Sequence, residues 1–237
     1  MAITGDDAAR VVILAASFAD AAPAIRLAEV LVQLREGTGT EPAMAMIGVL
    51  ALDPMLDAAL GAPLLPRGRL RPADMPRATA TTAPAHAGAL SREALASAYA
   101  SDARAFSARL TRIATARRLA CEFRTDQGLT ADLAFRLRRP GDMLVLGYRR
   151  LLETGAPVVA LCRLEDAQTQ ALTRTLSRAL HRRAVFLPPE AADQPGMIEG
   201  LSATALILAP ELARQPARLS ALIEAARCPV LVAPDPA

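Results

Sequence analysis

"DMLVLGYRRLLETGAPVVALCRLED", residues 142–166, holds two short apolar runs with the composition of strands buried on both faces. Between Gly147, where the first run ends, and Ala156, where the next begins, lie only eight residues. In a doubly wound sheet the loop after such a strand is where the phosphates of a nucleotide collect. The stretch therefore bears on both the architecture and the question of a phosphate cradle.

The same alternation extends in both directions. VVILAAS (11–17), MAMIGVLAL (44–52), LACEFRT (119–125), AVFLP (184–188), ATALILAP (203–210) and CPVLVAP (228–234) read as further strands. Helical stretches separate them. The first runs from about Asp20 to Glu36, with Leu27, Leu31 and Leu34 on one face, Pro23 in its first turn and Gly37 at its stop. Ser91 and Glu93 open a long helix to about Arg118, with Leu95, Tyr99, Phe106, Leu110 and Ile113 as its apolar stripe. A short helix is expected over 129–137. Asp166 caps another that presents Leu172, Leu176 and Leu180, and a last one carries Leu212, Leu219, Leu222 and Ile223. Strands alternating with helices predict an α/β fold, a doubly wound parallel sheet with helices on both faces.

The segment over about 53–90 breaks this rhythm. It is rich in Pro, Gly, Ala and Thr, has no sustained period beyond one short helix near Pro54–Leu60, and is long for a connection in a compact domain. It is expected to be a mobile insertion. Its Arg67, Arg69, Arg71 and Arg77 are placed either to grip an anion or to sit solvated.

Aligned with each other, VVILAASFADAAPAIRLAEVL and VVALCRLEDAQTQALTRTLSRAL repeat one strand-then-amphipathic-helix pattern, and DMLVLGY and TALILAP form a second pair. The chain thus divides into two tandem related halves, 1–153 and 154–237, the second lacking most of its middle.

Composition excludes several function classes. Basic charge is carried by arginine alone, with no lysine, asparagine or tryptophan, as a high-GC coding sequence produces. The net charge of +3 is small and its charges are interspersed, so no nucleic-acid partner is expected. No apolar stretch reaches the roughly 18–20 residues of a membrane span, and MAITGDDAAR is acidic where a secretory signal is basic. A cytoplasmic location without membrane association is expected. Cys121, Cys162 and Cys228 are too few and scattered for a disulfide framework or a metal site, and are expected as small buried hydrophobes. His86 and His181 lack partners at any triad or ligand spacing, and no P-loop or dinucleotide fingerprint occurs, so no enzyme activity is expected.

The long helix followed by "LACEFRTDQGLTADLAFRLRRPGDMLVLGYRR" resembles the second half of a universal stress protein domain, and "ARCPVLVAPDP" resembles that family's closing strand. The resemblance covers most of the chain as two copies, and implies the adenine-nucleotide alpha hydrolase-like variety of the fold. ATP-binding members of that family carry, after the fourth strand, glycine, two residues, glycine, nine residues, then glycine and Ser or Thr. Glycines there let backbone N–H groups close on phosphate oxygens. Here Gly147 matches the first position, but Arg150 stands at the second and Ala160-Leu161 at the last pair. Ala15, Ala16 and Ser17 stand where the binders have an Asp after the first strand. No cofactor is therefore expected, ATP or AMP being unsupported by the motif.

The resemblance thus implies a stress-response or regulatory protein acting through protein contacts. The alternative is a sensor of a nucleotide or other small anion, held at the end of the sheet by Arg149 and Arg150 beside Gly147, Tyr148 and Ser17, since arginine forks bind phosphate without a glycine loop. The family's last strand often pairs across a dimer or between tandem halves. Because the first half has no such strand, residues 228–234 are expected to pair between chains in a homodimer.

Overall fold

The computed structural model describes residues 9–36, 44–55, 68–69, 92–148 and 155–235. Its elements follow the alternating pattern: β1 (Arg10–Ala15), α1 (Phe18–Glu36), β2 (Ala45–Leu52), β3 (Gly68–Arg69), α2 (Arg92–Arg117), β4 (Ala120–Gln127), α3 (Thr130–Leu137) and β5 (Met143–Leu146). The C-terminal section adds β6 (Val158–Leu161), α4 (Ala167–Ala179), β7 (Ala184–Leu187), α5 (Pro195–Glu199), β8 (Ala205–Leu208), α6 (Pro216–Ala226) and β9 (Val230–Val232). Single 3-10 turns at Pro189–Asp193 and Pro210–Ala213 precede α5 and α6.

All strands join one nine-stranded sheet in the order β3-β4-β2-β1-β5-β9-β8-β6-β7. Strands β4, β2, β1 and β5 run parallel, as do β9, β8, β6 and β7. The two parallel groups meet head to tail where β5 and β9 pair antiparallel, Leu144 opposite Val232 and Leu146 opposite Val230. The C-terminal edge of one group is thus the N-terminal edge of the other.

The period-2 alternation of strand side chains fixes which helices lie on which face. Val11, Ile13 and Ala15 face a core shared with α1, α2 and α4, whereas Val12 and Leu14 face one shared with α3, α5 and α6. Both faces of β1, β2, β5, β6, β8 and β9 are covered, which is why these strands read as unbroken apolar runs. The doubly wound α/β expectation is met at this level.

Several local expectations are corrected. α1 starts earlier than its periodicity suggests, so Pro23 stands past the first turn. Proline offers no N–H to the Ala19 carbonyl, but Ala19 is exposed and water can serve it. Inside the expected insertion, β3 pairs antiparallel with β4 at Arg124 and Thr125. Residues 54 and 55 begin a helical turn, Met55 N–H donating to Asp53 Oδ1 at 2.8 Å. The rest of that insertion, Ser91 and His86 lie outside the described residues. The missing middle of the second half is a crossover of one 3-10 turn and α5. Cys162 and Cys228 are buried as expected, but Cys121 is exposed on β4. The largest correction concerns residues 228–234. β9 pairs with β5 on one side and β8 on the other, so it has no free edge for a second chain.

Polar ties brace the margin where β5 starts and β9 ends. Asp142, 3% exposed, holds the Arg10 guanidinium through Nε at 2.8 Å and through Nη2, and also accepts the Arg139 N–H at 2.8 Å. Arg138 crosses from α3 to the C-terminal section, donating to the Pro210 carbonyl at 3.1 Å and to Asp235 at 2.8 Å.

Removing one partner of a buried ion pair leaves the other charge uncompensated. Asp142→Ala is expected to lower the unfolding free energy by about 3–5 kcal/mol, measured by denaturant titration. The double change Arg10→Met, Asp142→Leu is expected to recover most of that loss. Equal destabilisation by both variants would contradict the assignment.

Candidate functional site

Ligands of open α/β sheets collect where neighbouring connections leave in opposite directions. Two such points exist here, one between the carboxyl ends of β1 and β5, the other between those of β6 and β8.

At the first point the structure brings Ser17 and Gly147 to one place, the start of α1. Ser17 is the helix cap: its Oγ accepts the Asp20 N–H at 3.1 Å and donates to Asp20 Oδ2 at 2.6 Å. Gly147 continues the ladder, its N–H donating to the Leu14 carbonyl at 2.7 Å. A Cβ on Gly147 would lie 2.6 Å from the Asp20 carbonyl oxygen and 3.0 Å from the Ala15 Cβ. The glycine thus admits the backbone of α1. On the side where a Cβ would stand, Gly147 is packed against α1.

Tyr148 does not converge with these residues. One position further along the chain, it packs against the core on the opposite face of the sheet. Arg149 and Arg150 lie outside the described residues.

At the second point Cys162 follows β6. Cys162 is 5% exposed, and burial pushes its thiol above the ordinary value of 9.0. Asp166 and Glu211 add to this shift and Arg174 opposes it, so the group is a protonated thiol at neutral pH and a poor nucleophile. Asp166 caps α4 by accepting the Thr169 N–H at 2.9 Å. No group of three His, Cys, Asp or Glu able to hold a metal occurs among the described residues. His181 is exposed at the end of α4, with a positive φ of 53°.

A cavity lies elsewhere. A partly open cavity of about 480 Å³ runs along α1 on the flank facing the C-terminal section. Its apolar wall is Pro23, Leu27, Val30, Leu180 and Pro229, and its polar groups are Arg26, Glu29, Gln33 and Thr204. Thr204 Oγ1 donates to the Ala156 carbonyl at 2.8 Å, so its hydroxyl proton is already used. Leu180, Thr204 and Pro229 follow or precede α4, β8 and β9, so both sides of the antiparallel seam line the space. Sequence reasoning missed it because its walls come from four separated stretches. The local signals were the apolar Leu27 and Val30 on one flank of α1.

No protein-family model matches this chain, and no curated protein matches it. Among the described residues, no helix is long and apolar enough to cross a membrane.

The steric role of Gly147 separates it from a ligand-binding glycine. Gly147→Ala is expected to lower stability by about 1–3 kcal/mol, as overpacking against backbone does. Gly196→Ala, with nothing within 4 Å of its added Cβ, is expected to be neutral or stabilising by up to about 1 kcal/mol. Thermal unfolding of the two variants measures the contrast. An unperturbed Gly147→Ala protein would contradict the close packing of α1.

Proposed function

We propose that this chain is a universal-stress-like regulatory module that acts through protein contacts and does not bind ATP at the β1–β5 crevice. The observation that carries this reading is the close approach of the Asp20 carbonyl to Gly147, which gives this glycine a packing role against α1. Ser17, engaged at both its acceptor and donor, is likewise committed to capping α1.

The tandem division into 1–153 and 154–237 belongs to the same proposal. The sequence pairs β1 with β6 and β5 with β8. In the sheet, β1 lies between β2 and β5, and β6 lies between β7 and β8, each with parallel neighbours. Equivalent positions for paired segments are what a duplicated unit produces. This supports the reading without depending on any single motif.

A homodimer remains part of the proposal, but through another strand. Among the described residues β7 ends the sheet, pairs only with β6, and carries the uncharged sequence AVFL on a half-exposed edge. The opposite end offers β4, whose Glu122, Arg124 and Asp126 resist strand addition, with β3 covering part of it. β7 is the more favourable edge for a protein contact.

Native mass spectrometry of the purified protein tests both parts. The expected species is a dimer free of nucleotide, and thermal unfolding is expected to stay unchanged in millimolar ATP. A co-purified nucleotide, or stabilisation by ATP that is lost in the Arg149→Ala, Arg150→Ala protein, would overturn this reading in favour of the anion sensor. A monomer would remove the self-pairing role of β7.

A further inference from the structure

We propose that the cavity beside α1 is a binding site for a small amphiphile, an apolar chain or ring bearing a carboxylate or similar anionic head. The site is separate from the β1–β5 crevice, so this inference stands or falls independently of the ATP result.

Size is the first argument. Small-molecule sites are concave, mainly apolar spaces of roughly 300–1,000 Å³ with a few polar groups that fix orientation. A volume of about 480 Å³ walled by Leu27, Val30, Leu180, Pro23 and Pro229 fits that description. Burial of a ligand's apolar body against such walls supplies non-directional affinity.

Position is the second. The cavity is bounded by α1 on one side of the antiparallel seam and by the starts of β8 and β9 on the other. A space between two separately wound parts of a sheet is where packing of one part leaves room that neither fills alone. An occupant there touches both parts at once.

Charge decides the class of the head group. Glu29 is engaged by Arg109, at 3.8 Å, whereas Arg26 has no hydrogen-bond or ion-pair partner among the described residues. A guanidinium at the rim of an apolar space matches a planar carboxylate. The sequence after the lining residue Leu180 is basic as well. Leu180, which closes part of the cavity, is followed by His181, Arg182 and Arg183, and residues 167–189 contain no Asp or Glu. An anionic head meets attraction at Arg26, and the carboxylate of the lining, Glu29, already faces Arg109.

Isothermal titration of the intact protein with decanoate, below its self-association range, tests the proposal, with 1-decanol as the uncharged control. Saturable binding of one decanoate per chain is expected, with weaker binding of decanol. Arg26→Gln is expected to weaken decanoate by about 5-fold and leave decanol unchanged, as for a solvent-exposed ion pair. Val30→Trp, which fills the cavity, is expected to abolish binding of both. A photoreactive carboxylate of the same length, applied to the unaltered protein, keeps the test decisive if Val30→Trp fails to fold. Crosslinks are expected within 21–36, 178–182, 201–206 or 227–231. No binding, binding that survives a folded Val30→Trp, or crosslinks confined elsewhere would overturn the site. Equal affinity for decanol and decanoate would overturn the anionic head.

Discussion

Strand β9 hydrogen-bonds on both edges, antiparallel to β5 and parallel to β8. Each parallel group alone would end there in a fully apolar strand, MLVL in one and VLV in the other, with a ladder of unpaired backbone groups. Their union satisfies both. It also forces the groups to run in opposite directions, which puts their carboxyl ends on opposite margins of the sheet. Most other features follow from that junction: a continuous core on each face, the Arg138 bridge to Pro210 and Asp235, and the cavity where α1 faces the starts of β8 and β9.

The strands and longer helices were legible in the sequence for a physical reason. Parallel strands buried on both faces must be apolar at every position, so VVILA and VVAL stand out, and Asp166 announces α4 as an N-cap should. Pairing was not legible. The composition of CPVLVAP shows that it must be covered, but not by which strand or in which direction. The same residues fit a partner chain or their own β5. The connection over 189–202 was unreadable because a single 3-10 turn and a helix as short as α5 carry no helical period. Cys121 shows the limit of composition at an edge: β4 alternates, and alternation turns that position outward.

The candidate site was legible only as a question. Gly147 and Ser17 were singled out as candidate ligand residues, and both stand at the start of α1, each in contact with Asp20. The geometry they serve is the entry of α1, whose backbone approaches Gly147 too closely for any side chain. Tyr148 was drawn into the set by adjacency, but neighbouring residues on a strand point to opposite faces. The cavity beside α1 could be found only after the fold had brought α1, Leu180, Thr204 and Pro229 together.

The junction at β9 makes one prediction that no looser arrangement shares. Hydrogen–deuterium exchange, followed by mass spectrometry of peptides covering β1, β5, β6, β8 and β9, reports whether these strands open together. A sheet joined through β9 is expected to place all five in the slowest-exchanging class, with one common opening free energy. Protection of β1 and β5 that persists while β6, β8 and β9 exchange freely would contradict the account. It would mean that the two groups fold independently and that the β5–β9 ladder does not hold them together.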